Sequence, residues 1–408
     1  MRDPTLDEAR PALITRDFVL LFLAHLLFGL SFWPYVLLPV FLQELGADLF
    51  HVGLIMGSAA LAGILIRPWV GSALNRIGRK RLLAIGGLLF TAANLSYLGI
   101  DSTGFSIYLV RLLHGSGMGI LMATLFTLAA DYSPPTRRTE GIALFGVAGH
   151  LSGAIGVLMG EQWIHLGGYH ALFISGAVLA ALSMGTSLLV REPEGTSHEN
   201  RSKRFFHISI SPALRLPIFG TVAFGLSMTS YMVFLKPYAV TVGVGSVTPF
   251  FVAYTLTAVS ARLIGSTWPD RFGLKPVLYP AMGSMVVGLS FLPFWKGIGG
   301  LSVSGILCGF GHAFIFPILS VMMIEREEEE NRGSVVTLFT MLYDAGLLIG
   351  APLLGLIARG NRYTPMFLFA ALIEITSLIS FFLLDRGEGA AGSGAVHGAK
   401  KKSREAIR

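Results

Sequence analysis

Residues 67–80, RPWVGSALNRIGRK, are answered by residues 262–275, RLIGSTWPDRFGLK. Arg67, Arg76, Gly78 and Lys80 recur as Arg262, Arg271, Gly273 and Lys275, each 195 positions later. Further on, Gly115, Gly117, Asp131, Arg138, Leu144, Phe145 and Gly156 return as Gly309, Gly311, Glu325, Arg332, Leu338, Phe339 and Gly350, at a spacing of 194. A near-constant offset, close to half of the 408 residues, implies a duplicated bundle rather than two unrelated domains. Both copies are strongly apolar, and internal duplication is a recurrent architecture inside membranes.

Composition names the solvent. The chain is 53% hydrophobic and only 13% charged, about half the charged fraction of soluble domains, and its mean hydropathy is +0.67. So few charges cannot cover a water-exposed surface of this length, so lipid must face most of it. Twelve spans of roughly 20–28 residues would use about three quarters of the chain. The single Cys308 excludes an internal disulfide framework. The first apolar run, beginning near Phe18, is too long for a cleaved leader and is expected to remain as a helix.

Apolar segments fall at about 17–42, 49–74, 80–99, 104–130, 139–164 and 168–190, and again at about 214–241, 247–268, 275–295, 299–324, 333–358 and 364–384. Twelve spans put both termini on one side. That side collects Arg2, Arg10, Arg16, Arg76, Arg79, Lys80, Arg81, Arg137, Arg138, Arg191, Arg201, Lys203, Arg204, Arg271, Lys275, Arg326, Arg332 and a basic tail. The other holds little beyond Lys296, Arg359 and Arg362. Cytoplasmic loops are the ones rich in Lys and Arg, so both termini are expected in the cytoplasm of a cell inner or plasma membrane. The net charge of +7 is thereby topogenic, and no nucleic-acid partner is expected. The organisation read from this pattern is a first bundle over 1–190, a cytoplasmic linker over 191–212, a second bundle over 213–386 and a flexible basic tail over 387–408.

The loop Gly71-Ser-Ala-Leu-Asn75-Arg76-Ile-Gly78-Arg79-Lys80-Arg81 resembles the loop signature of the major facilitator superfamily, and Arg111-Leu-Leu-His114-Gly115-Ser-Gly117 resembles its span-4 signature. The resemblance covers nearly the whole chain. It implies an all-α integral membrane fold of two pseudo-symmetric six-helix bundles around a central cavity, rocking to open it to each side in turn. It also implies that spans 1, 4, 7 and 10 line the cavity and that spans 2, 5, 8 and 11 form the contact between halves. The family carries Asp where this chain has Asn75; the second copy keeps Asp270, with Ser266 in place of the leading Gly.

Read physically, Gly78 permits a tight turn, and Arg76, Arg79, Lys80 and Arg81 hold it at the headgroups. Asn75 can cap a helix end but brings no charge to its dipole. Asp131 with Arg138, and Glu325 with Arg332, stand at neighbouring helix ends. Such pairs, each worth about 1 kcal/mol when partly exposed, are expected to latch the bundles on the cytoplasmic side, with Asp270, Arg271 and Gly273 repeating the motif. In span 5, Gly149, Gly153, Gly156 and Gly160 form a smooth stripe for close helix approach, expected at the moving contact between halves. The family's antiporter branch has a Gly-Pro signature here; this chain has Val157 for the Pro and Glu161 for the last Gly.

Ionisable groups within spans are costly to insert and mark function. The candidates for a substrate or proton pathway are Arg111 and His114 in span 4, His312 in span 10, His25 in span 1, Lys236 in span 7, the repeat partners His150 and Asp344 in spans 5 and 11, and Glu374 in span 12. Arg111 is expected to need an anionic partner or water. Asp344 is the natural proton carrier, because burial and charge partners decide when a carboxylate is protonated. No phosphate-binding loop, enzyme signature or in-helix metal spacing is present. The expectation is a monomeric, cofactor-free secondary transporter of a small molecule, by proton-coupled efflux. Its rivals are a symporter or uniporter for an organic anion, meeting Arg111 and Lys236, and a non-transporting receptor or scaffold on the same fold.

Overall fold

The computed structural model describes residues 12–134, 137–191, 212–326 and 332–384. The linker at 192–211, the tail from 385 and Glu327–Glu330 lie outside the described residues, as do the side chains of Asn75, Arg138 and Arg332. The helices of the first half are α1 (Arg16–Glu44), α2 (Leu49–Arg76), α3 (Arg79–Ser96) and α4 (Phe105–Tyr132), followed by α5 (138–166) and α6 (169–188). Those of the second are α7 (Arg215–Thr241), α8 (Thr248–Gly265), α9 (Leu274–Phe291), α10 (Ile298–Glu325), α11 (Arg332–Ile357) and α12 (Tyr363–Leu384).

By length and hydropathy alone, ten helices among the described residues qualify as membrane spans. Two physical details account for the difference from twelve. One continuous apolar stretch turns back on itself at Gly167 and Gly168, where Gly168 takes φ +64°, and so contains both α5 and α6. The other is α8, whose hydropathy is depressed by Arg262 inside its last turn.

Local chemistry sets the helix starts. Thr15 accepts a hydrogen bond from Phe18 N ahead of α1, and Asp48 accepts one from His51 N ahead of α2. Pro34 and Pro39 tighten α1 into a 3-10 stretch over Trp33–Leu37. In the duplicated loop, Gly78 sits at φ +84°, ψ 160° and Gly273 at φ +94°, ψ 159°. This backbone is left-handed territory that a side chain disfavours, and the two copies adopt it almost identically.

The duplication is structural as well. In the first half α1 packs on α5, α2 on α4, α3 on α4 and α3 on α6; in the second α7 packs on α11, α8 on α10, α9 on α10 and α9 on α12. The halves meet through α2 with α11 and through α5 with α8, the same pair exchanged. Between α2 and α11 the approach is backbone-close: a Cβ on Gly53 would lie 2.1 Å from Ala351 O, and one on Gly355 would lie 2.2 Å from Leu49 O.

That finding corrects the reading of the span-5 glycines. Gly149 faces His25, Gly153 and Gly156 face Trp33, and Gly160 faces Pro34 and Leu37, all on α1 of the same half. The stripe therefore seats α1 within its own bundle. Gly53, Gly57 and Gly355 are the small residues that bring the halves together.

Candidate functional site

Three polar clusters join the halves. Within the apolar spans, α2 presents Arg67 and α11 presents Asp344, with Arg67 Nη1 2.5 Å from Asp344 Oδ2. The same nitrogen donates to Thr340 O at 2.9 Å. Both side chains are largely sealed, at 17% and 7% exposure, so each charge depends on the other. The partner of Asp344 is Arg67, 277 residues away in the chain.

Between α5 and α8, the repeat equivalents of Asp344 and Arg67 are His150 and Arg262. The His150 ring lies 5.6 Å from that of His312 on α10, across the seam. Tyr254 Oη bonds His312 Nδ1, and Phe224 and Phe316 border the same ring.

The third cluster lies at the helix ends opposite the termini. Glu161 on α5 accepts from Lys236 Nζ at 2.7 Å, Ser246 Oγ at 2.5 Å, Val247 N at 2.9 Å and Thr248 Oγ1 at 2.7 Å. It thus stands at the N-terminus of α8, where backbone N–H groups lack helical partners and a negative charge is favoured. At the same end, between α2 and α11, Arg359 grips Asp48 Oδ2 through Nε at 3.0 Å and Nη2 at 2.8 Å. The His51 backbone N–H holds the Asp48 carboxyl below the usual range, and Arg359 adds to that effect.

The remaining sequence candidates are placed elsewhere. Arg111 is buried in the first half and pairs with no carboxylate among the described residues; it donates to Met56 O at 3.0 Å, Tyr97 Oη at 3.3 Å and Ile55 O at 3.4 Å. The anionic partner expected for it is replaced by these oxygens. His114 lies among Tyr35, Phe90 and Tyr97 in the same interior. His25 stacks on Phe145 at 4.2 Å and bonds its carbonyl at 3.2 Å, tying α1 to α5. All three side chains are buried. Lys236, also expected in the cavity, is instead committed to Glu161 and Gly245 O. Glu374 is wholly buried in the second half, with neither carboxylate oxygen bonded among the described residues.

The expected latch on the terminal side takes a different form as well. Asp131 pairs with Arg79 at 2.8 Å, inside its own half. Asp270 and Arg271 are exposed on a short helix, Trp268–Phe272, where Arg271 lies over the Phe272 ring. Gly71 and Arg76 are exposed, and so is Glu325. The Arg138 and Arg332 halves of the proposed latches fall outside the described side chains. Sequence reasoning passed over Arg67, Arg262 and Glu161. Each is an ionisable group within an apolar helix, which is the signal that marks it, while by spacing alone the first two read as repeat markers and the third as a replaced glycine.

Two parallel copies of a six-helix unit, with their polar contacts buried at the seam, define a multi-pass membrane transporter. The Major Facilitator Superfamily model matches residues 20–268 and 218–407, and the chain belongs to that superfamily, which is non-enzymatic and moves small molecules. It is 24% identical over 366 residues to the staphylopine export protein of Staphylococcus aureus, covering 85% of this chain and 90% of that one. Its fold matches the nucleoside transporter NupG at a TM-score of 0.72 and 16% identity, over 92% of this chain and 100% of that one. It also matches the human organic anion transporter MFSD10 at 0.64 and 17%, over 90% and 99%.

Proposed function

We propose that this transporter exports a small, partly apolar organic molecule in exchange for protons, with Asp344 carrying the proton and Arg67 responding to it. The observation that carries the reading is the Arg67–Asp344 contact of 2.5 Å, because it joins the two halves. While Asp344 is ionised the pair holds α2 against α11. A proton on Asp344 removes one charge and leaves Arg67 with the Thr340 carbonyl, so the reason for the halves to stay together at that point is lost. Opening also exposes the carboxyl to the cavity, and a neutral carboxyl costs less to rebury than a charged one. Proton binding is thereby linked to which conformation is populated, since a ligand shifts an equilibrium only through its differential affinity for the two states.

The export direction is supported by the relative named as an exporter and by the Phe- and Met-rich second half, suited to loose apolar recognition. With the termini placed in the cytoplasm by the Lys and Arg bias, the Glu161 and Asp48 clusters close the outer face. The test is exchange in proteoliposomes under an imposed pH gradient. Asp344→Asn is expected to abolish gradient-driven accumulation while leaving counterflow of labelled substrate in place. Unchanged accumulation by that variant refutes the coupling role, and failure of any compound to exchange favours a non-transporting scaffold.

A further inference from the structure

The seam is built twice, and its two copies differ in one charge. In the first, Arg67 meets the Asp344 carboxylate. In the second, Arg262 stands 195 positions after Arg67, and His150 stands 194 before Asp344. The second copy therefore has the guanidinium and lacks the acid. Arg262 Nε is shut off from solvent and has no hydrogen-bond partner among the described residues. A buried guanidinium N–H without an acceptor is expensive, since its desolvation goes uncompensated.

The surroundings differ in the same sense. Where the first copy has Met118, the second has His312, and where the first has Ala59, the second has Tyr254. Tyr254 occupies His312 Nδ1. When that hydroxyl donates, the imidazole proton sits on Nε2 and offers a donor. His312 and His150 remain half-buried rather than sealed, so the place is reachable.

We propose that Arg262, with His150 and His312, receives a carboxylate of the transported molecule in the position that Asp344 fills in the other copy. The protein itself supplies the template, a carboxylate oxygen 2.5 Å from the equivalent guanidinium. A phosphate dianion fits less well. It would bring a second charge, whereas the template in the other copy sets one carboxylate against one guanidinium. Phe224 and Phe316, flanking His312 at 5.5 Å and 6.0 Å, give an apolar body next to the acid somewhere to rest. His150 belongs to one half and His312 and Arg262 to the other, so a bound carboxylate bridges the seam. The inference rests on the chain being a transporter that binds its cargo at this seam, and it is independent of the coupling ion.

The experiment is a thermal-shift series on the purified full chain in detergent, without a proton gradient. The probes are straight-chain and aromatic monocarboxylates and dicarboxylates of two to ten carbons, each run beside its primary amide. At saturation at least one acid is expected to raise the melting temperature by about 2 °C or more while its amide does not. Arg262→Gln is expected to remove that rise, and Arg262→Lys, which keeps the charge, to retain part of it. His150→Asp restores the internal acid. It should raise the melting temperature of the ligand-free protein and weaken carboxylate binding at least about tenfold, a difference of about 1.4 kcal/mol. Equal shifts from acids and amides, no shift from any acid, or full binding by His150→Asp would each overturn the assignment. Loss of carboxylate binding with coupled transport intact, or the reverse, separates this inference from the role given to Asp344.

Discussion

Lys236 Nζ lies 2.7 Å from Glu161 Oε1, an ion pair between α7 of the second half and α5 of the first. The carboxylate also takes the Val247 N–H and the Ser246 and Thr248 hydroxyls, so one side chain gathers an entire helix start from the opposite bundle. The same end of the molecule has a second closure built differently, with Asp48 capping its own helix and Arg359 reaching over from the other half.

Glu161→Gln keeps the shape and removes the charge. It is expected to cost about 1–3 kcal/mol of far-side closure, the range for a charge-assisted hydrogen bond in a largely buried place. Phe251, behind the clamp and packed on Trp33 at 6.1 Å, can report it. In a Cys308→Ser background, Phe251→Cys should react with a membrane-impermeant maleimide several times faster when Glu161→Gln is added. Equal rates would show that the clamp does not hold this end shut.

Removing one member of the Arg67–Asp344 pair strands the other inside the membrane. Arg67→Gln or Asp344→Asn alone is expected to cost about 3–5 kcal/mol where the remaining charge cannot escape. The double variant should cost less than the sum of the two. Thermal melting of the four proteins closes the cycle, and strict additivity would mean that the two charges act independently.

The Asp48 closure predicts a pH dependence. The His51 N–H first, and Arg359 after it, depress the Asp48 pKa in the folded protein. The unfolded state therefore binds the proton more readily, and the stabilisation is fully present above the ordinary carboxylate pKa of about 4. It is lost as pH falls through the folded value. Asp48→Asn should flatten the decline of melting temperature between about pH 5 and pH 3 relative to wild type. Identical profiles would remove Asp48 from the account.

The close approach of α2 and α11 predicts opposite effects at two glycines on one helix. Gly53→Ala places a Cβ 2.1 Å from Ala351 O and should lower the melting temperature while increasing labelling at Phe251→Cys. Gly71→Ala meets nothing within 4 Å and should be neutral or stabilising by up to about 1 kcal/mol through helix propensity alone. Reversal of that order would mean that the halves do not touch at Gly53.

The expected topology is checked by reporter fusions. Active cytoplasmic reporters at both the amino and carboxyl ends would agree with the Lys and Arg bias, and reporters on opposite faces would contradict an even number of spans.

The sequence alone determined the duplication, the apolar segments and the turn glycines. These follow from properties read along one dimension. Span length matches bilayer thickness, a fixed offset marks a repeat, and Gly78 and Gly273 share a turn because the loop around them is written twice. Tertiary structure alone decided which charges meet. Arg67 and Asp344 lie 277 residues apart, and their contact depends on how each helix is rotated about its axis and which neighbour it faces. Arg111 shows the same dependence in the other direction. Its position in span 4 pointed to a cavity, yet carbonyls of α2 and the Tyr97 hydroxyl were within reach and satisfied it inside its own half. A buried charge settles wherever enough oxygen is near, and distance in the chain carries no information about that.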